Sequence, residues 1–285
     1  MNMAESESSN KNIGVRILKW IGVVTAIISL VLGTRQIVNM IRGSIEDKTR
    51  ATGLNAEAEQ FLSAGDYSRA WQSISQAVQL QPEYRDTQVA IALEWLREVR
   101  IASNRGERTF TEIAEKLLPV LHAAIDTSRR TYSANIFAHI GWANYLIFKE
   151  GDRGVRVDEQ FKNALRLDST NLYAHAMHGF WILYPGHGGG SIDEANQHFA
   201  AALRGGGDTS YVRLLAITAY SNSSSPECQA HIINLANQMR KNHETLELAE
   251  RQRIVTNVYF MYRNEIMDEV GKLLTAKDHW ETFVF

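Results

Sequence analysis

Residues 178–199 read HGFWILYPGHGGGSIDEANQHF and contain the run His187-Gly188-Gly189-Gly190. An HGGG run is able to build an oxyanion hole, because consecutive backbone N–H groups converge on a developing negative charge. That chemistry also needs a serine on a strand-to-helix elbow, and the chain contains no G-x-S-x-G. The glycines are therefore expected to form a turn in which φ > 0 is tolerated. Pro185 would end the helix before it, and Ser191 with Glu194 makes an S-x-x-E capping box for the helix after it. Exposed amides near that helix N-terminus leave anion binding as the lesser use of the loop. The histidines are the second candidate. His175 and His178 stand at i, i+3 on one helix, His139 matches His175 one unit earlier, and His187 and His198 are close in sequence. A zinc site needs three or four converging ligands with carboxylate support. No HExxH is present, so packing positions hydrogen-bonded across helices are expected, with no metal and no cofactor. A metal-binding or enzymatic scaffold using His139, His175, His178 and His187 stays open as an alternative. The P-loop pattern is missing, and Gly205-Gly206-Gly207-Asp208 reads as a helix stop and linker. Cys228, the single cysteine, excludes an internal disulfide framework and is expected to be a small packing residue.

The chain that must position these residues has 285 of them, 45% hydrophobic, with only four prolines, a composition that favours helices. Its formal net charge is −2 and no lysine/arginine block stands out, which excludes the electrostatic footprint of a nucleic-acid binder. Residues 1–12 are polar and expected to be disordered. Residues 13–42 follow with an uncharged run from Trp20 to Thr34, flanked by Lys19 and Arg35. Fifteen residues make roughly 22 Å of helix. Snorkelling of the flanking cations extends the apolar stretch to about 17–38, so the segment is expected to be a single membrane-spanning helix. A cleaved signal peptide fits less well, because Arg35 follows the poor cleavage site Val31-Leu32-Gly33. Three basic residues precede the run and four follow it, so charge sets no orientation. The short leading tail favours a body outside the cytoplasm. Residues 43–52 are expected to be a polar juxtamembrane connector or a continuation of the helix, with the body spanning 53–285.

The body repeats itself. Phe137-Ala138-His139 and Tyr173-Ala174-His175 are offset by 36 residues, and each has a small residue, Ala143 or Gly179, four positions after the histidine. Phe161-Lys162-Asn163-Ala164-Leu165-Arg166 and Phe199-Ala200-Ala201-Ala202-Leu203-Arg204 share F-x-x-A-L-R at an offset of 38. A third stretch, residues 54–82, carries Leu54, Ala58, Phe61, Gly65-Asp66-Tyr67, Ala70, Ile74, Ala77 and Pro82. These residues and this period resemble the tetratricopeptide repeat, a pair of antiparallel helices. The resemblance covers 54–82 and 133–204, and implies an all-α, TPR-like α-solenoid of helix pairs stacked behind the membrane helix. Ala58, Ala143 and Gly179 would let first helices approach second helices, which answer with Ala70, Ala77, Ala164, Ala195 and Ala202. Phe161 and Phe199 would fill the space between. The chain departs from the family at Glu57, His139, His175, Val157 and Ser169. Residues 83–130 read as a degenerate pair whose second helix Pro119 should kink or break. Further helices are expected over "TSYVRLLAITAYSN", over "PECQAHIINLANQMRKN" with Pro226 at its start, and over residues 246–274, with Trp280, Phe283 and Phe285 of the following tail folding back on the final helices.

In that family the first helices of successive pairs line a concave groove for peptides or partner helices. Carried over residue by residue, the resemblance implies a groove of Phe137, Ile140, Asn144, Ile147 and Phe148 in one copy. The next copy supplies Tyr173, Ala176, Phe180, Leu183 and Tyr184. Aromatic residues suit interface anchoring. The expected function is a membrane-anchored scaffold or adaptor that binds a protein or peptide partner, with no enzymatic chemistry. A self-assembling, homo-oligomeric membrane component remains the other alternative.

Overall fold

The computed structural model describes residues 43–99, 110–185, 190–222 and 225–241. All of the regular structure among them is helical. The tail over 1–12, the segment expected to span a membrane over 13–42, His187, and Trp280, Phe283 and Phe285 lie outside the described residues. Among the described residues no helix is long and apolar enough to cross a membrane. The chain divides into two compact units, the first ending at Gln88 and the second beginning at Val89.

In the first unit a helix over residues 43–63, α1, precedes α2 (Tyr67–Leu80). The expected connector 43–52 is thus helical and continuous with the first helix of the body. Gly65 at φ +74° ends α1: its N–H reaches the Leu62 carbonyl at 2.9 Å and the Asp66 N–H reaches Phe61 at 2.9 Å. This is a Schellman closure, which needs a left-handed residue at that point. Asp66 then caps α2, its Oδ1 accepting the Arg69 N–H at 3.0 Å. The G-D pair therefore stops one helix and starts the next. Ala58 of α1 and Ala70, Ile74 and Ala77 of α2 are all fully buried. Glu57 accepts a hydrogen bond from Ser73 Oγ at 3.0 Å, which explains a carboxylate where the repeat family has leucine. α2 stops at Leu80, and Pro82 opens a short 3₁₀ turn, Pro82–Tyr84.

The unit boundary falls in the first turn of α3 (Arg85–Val99). The second unit continues with α4 (Phe110–Ala123), α5 (Arg130–Lys149), α6 (Val157–Leu167), α7 (Leu172–Ile182), α8 (Ile192–Arg204), α9 (Thr209–Tyr220) and α10 (Pro226–Lys241). Of the expected kink or break at Pro119, the break does not occur: α4 runs through it. Pro119 and Glu115, the residue whose carbonyl it leaves without an N–H, are both exposed, while Leu117 and Leu121 stay buried. α5 packs on α6, α7 on α8 and α9 on α10, while α5, α7 and α9 also lie side by side. Their compositions match these positions. In α6 the buried residues Val157, Phe161 and Ala164 form one stripe, repeated in α8 by Ala195, Phe199 and Ala202. In α5 twelve of 20 residues are buried and in α9 nine of 12, so these helices are enclosed on nearly every side.

Two close approaches recur. A Cβ added to Gly141 on α5 would lie 2.7 Å from the Phe161 ring of α6, and one on Gly179 of α7 would lie 3.1 Å from the Phe199 ring of α8. Both glycines and both phenylalanines are 38 residues apart. Gly141, not Ala143, is therefore the counterpart of Gly179. His139 and His175, matched in sequence at an offset of 36, face different neighbours.

Candidate functional site

The positions expected to line a groove divide into three environments. Phe180 is buried, its ring edge-on to Trp142 at 5.2 Å and to Tyr145 at 5.2 Å. Ile140, Ile147 and Ala176 are likewise buried in the core. Asn144 turns to the connector after its own helix, its Nδ2 donating to the Arg156 carbonyl at 3.2 Å. Tyr173 is half-buried, with the Arg97 guanidinium of α3 over its ring at 5.1 Å, His139 at 5.1 Å and Tyr211 at 5.6 Å. Phe148 and Tyr184 are half-buried and stand together, centroids 6.3 Å apart, at the C-terminal ends of α5 and α7. Trp181 lies beneath both, 5.0 Å from Phe148 and 6.1 Å from Tyr184, and Tyr145 lies 5.1 Å from Tyr184. Arg153 stacks over Phe148 at 4.0 Å. Phe137 and Leu183 are half-buried on the same two helices.

The histidines form two sites with different electrostatics. His139 is buried on α5, and its Nδ1–H donates to the Asn135 carbonyl at 2.7 Å. Its Nε2 has no partner, and burial pushes its pKa down to about 3, with the Arg97 charge adding to that. The second site joins three helices. His178 Nε2–H of α7 donates to Asp158 Oδ1 of α6 at 2.8 Å, and its ring stacks on Phe161 at 5.4 Å. The ring of His198 on α8 meets His178 edge-on at 4.4 Å. His198 Nδ1 lies 2.9 Å from His175 Nδ1, and His175 Nε2 lies 2.9 Å from the Ser169 carbonyl. Burial lowers the pKa of His178 against the pull of Asp158, and burial with the neighbouring imidazoles takes His198 down to about 4. Burial raises the Asp158 carboxyl, but Lys162 and His178 outweigh it and leave that pKa below its ordinary value. Among the described residues, no group of three or more His, Cys, Asp and Glu side chains could hold a metal ion.

Compared with known proteins, the chain matches no family model, no curated sequence and no solved structure. The helix ends around the glycine loop follow the sequence closely. α7 ends at Ile182, and Ser191 Oγ accepts the Glu194 N–H at 3.0 Å, capping α8. Gly190 has a further reason to be glycine, since a Cβ there would lie 2.3 Å from Ile182 Cγ2. Sequence reasoning missed the site formed by Asp158, His178 and His198. The available signal was three polar residues at buried-stripe spacing, namely Asp158 beside Val157, His178 beside Gly179 and His198 beside Phe199.

Proposed function

We propose that the body is a TPR-like helical scaffold, held at a membrane by residues 13–42, that binds an apolar or helical segment of a protein partner. The observation that carries this reading is the recurring helix pair, in which Gly141 under Phe161 and Gly179 under Phe199 repeat the same contact 38 residues apart with their first helices adjacent. Stacked pairs of this kind present extended surfaces rather than catalytic clefts. The groove is best narrowed to the Phe148 and Tyr184 face, where half-buried aromatic rings sit beside Arg153. Phe180 belongs to the core behind it.

The test is capture of a partner by the full chain in mild detergent, repeated with Phe148→Ala combined with Tyr184→Ala. The reading requires the double variant to lose the partner while its circular dichroism keeps the helical signal. Binding that survives both changes places the contact elsewhere. The membrane half is tested separately. An anchored chain stays in the membrane fraction at alkaline pH and leaves it only with detergent, whereas release by alkali alone removes the anchor.

A further inference from the structure

The chain carries, after α10, a segment of the kind that the Phe148 and Tyr184 face would take. Residues 278–285 read DHWETFVF and lie outside the described residues. Trp280, Phe283 and Val284 stand at i, i+3 and i+4, and Leu273 and Ala276, seven and four residues before Trp280, extend the same helical stripe. Anchors at this spacing are how an amphipathic helix fills an apolar groove. Asp278 and Glu281 accompany them, and no lysine or arginine follows Lys277.

The face has the complementary character. Phe148 and Tyr184 are half-buried, above Trp181. Two cations edge it: Arg153 lies over Phe148 at 4.0 Å and Lys149 over Phe110 at 5.0 Å. The nearby acids are engaged within the fold. Glu150 accepts the first N–H groups of α4, and Asp152 accepts the Gly154 N–H at 2.8 Å. The final described helix is a poorer landing, since α10 turns Glu227, Ala230 and Asn234 to solvent among its described side chains. Reach is ample. Residues 242–272 separate α10 from Leu273, and even if wholly helical they run about 46 Å. Returning along the 16 residues of α10 takes about 24 Å. Crossing from α9 past α7 to α5 takes two steps of roughly 8–10 Å. Segment and face also belong to one compact unit, Val89–Phe285.

We propose that residues 273–284 form an amphipathic helix that covers the Phe148 and Tyr184 face of the same chain, rather than resting on the final helices, so that a partner binds by displacing it. The proposal rests on the reading of that face as a ligand surface. Trp280 and Phe283 supply the rings that meet Phe148 and Tyr184, while Asp278 and Glu281 face Arg153 and Lys149. Tethering makes the contact intramolecular, so the segment competes at a high effective concentration without needing high affinity.

The experiment uses the full chain in mild detergent, with Phe283 replaced by photoreactive p-benzoylphenylalanine. Cross-links within one chain should map to residues 145–153 or 181–185. The proposal is overturned if they map only to α9, α10 or residues after 241, if they form only between chains, or if none forms. A second arm adds a labelled synthetic peptide of residues 272–285 in trans. It should bind the chain carrying Trp280→Ala with Phe283→Ala at least about tenfold more tightly than wild type, whose own segment is in the way. Arg153→Glu, an exposed change, should weaken that binding. Equal affinity for the two chains, or no binding to either, overturns the proposal. The partner-capture test separates this inference from the reading beneath it. Cross-links on the face with no captured partner leave the self-contact standing and remove only the partner. Capture that depends on Phe148 and Tyr184, with cross-links elsewhere, removes only the self-contact.

Discussion

At the scale of single residues, glycine is the informative type in this chain, and the reason differs from site to site. Gly65 is needed for its left-handed backbone, whereas Gly141 and Gly190 are needed because nothing larger fits. In an exposed helix, Gly→Ala stabilises by about 1 kcal/mol. At Gly141 the new methyl would lie 2.7 and 2.9 Å from two carbons of the Phe161 ring. That overpacking should reverse the sign and cost about 1–3 kcal/mol. Gly179→Ala, at 3.1 Å from Phe199, should be milder. Denaturant unfolding of the two variants checks the order, and a stabilised Gly141→Ala would show that the ring yields freely. The sequence alone indicated that Ser191 would cap α8, because that signal is local. It misassigned the partner of Gly179, because the sequence pattern that matched His139 to His175 carries no information on which neighbour a side chain meets. Phe161 and Phe199 were legible from sequence as the residues that fill the space between paired helices, but which small residue lies under each ring is a tertiary fact.

At the scale of elements, the ends of helices divide into those capped locally and those capped from afar. Asp66, Asn171, Ser191 and Asp208 each accept an N–H three residues on, and all four types are ordinary N-caps. α4 is different. Its first N–H groups, on Phe110 and Thr111, donate at 2.8 and 2.7 Å to the two carboxylate oxygens of Glu150, which follows the end of α5. Burial raises the Glu150 carboxyl, but the bonds to Thr111 and Phe110 outweigh it and leave its pKa below the ordinary value. Nothing near residue 110 announces this cap, since it depends on α5 lying alongside. Glu150→Ala should therefore cost about 0.5–2 kcal/mol, in the range of a lost N-cap. The loss should appear as faster exchange at the start of α4 with α6 and α7 unchanged. A depressed carboxylate contributes stability that is present above its ordinary pKa and lost as pH falls through the folded value. The wild-type cap should thus weaken only in acid below about pH 4.5, and the variant should show no such weakening. An α4 N-terminus indifferent to the substitution would mean that the two N–H groups are satisfied by water.

At the scale of the whole molecule, the helical class was readable from composition and apolar spacing, and the structure adds a division at Gln88 and Val89. Linkers announce themselves by proline, glycine and charge, and this boundary falls inside α3, whose sequence holds neither proline nor glycine. The division has a consequence that does follow from sequence once it is known. All nine histidines lie beyond residue 88, so only the second unit carries imidazoles. His139 is the strongest case. Its folded pKa is near 3 against an ordinary 6.5, so the unfolded chain binds the additional proton between those values. The stability it represents is complete above about pH 6.5 and falls at about 1.4 kcal/mol per pH unit below it, or about 2 kcal/mol by pH 5. His178 and His198 are shifted in the same direction and add to this, His198 by less because it is partly exposed. In the first unit Asp66 is held below its ordinary pKa by Arg69, and a depressed aspartate acts below about pH 4. Against a total of about 5–15 kcal/mol for a domain, the second unit should lose a substantial fraction of its stability between pH 7 and 5 while the first loses almost none. Segment-resolved exchange in denaturant at the two pH values measures this directly. Residues 43–80 should hold their midpoint while α5 to α7 shift to lower denaturant. Equal shifts in both would mean that the units unfold as one, and no shift in either would mean that His139 reaches solvent before the helix around it opens.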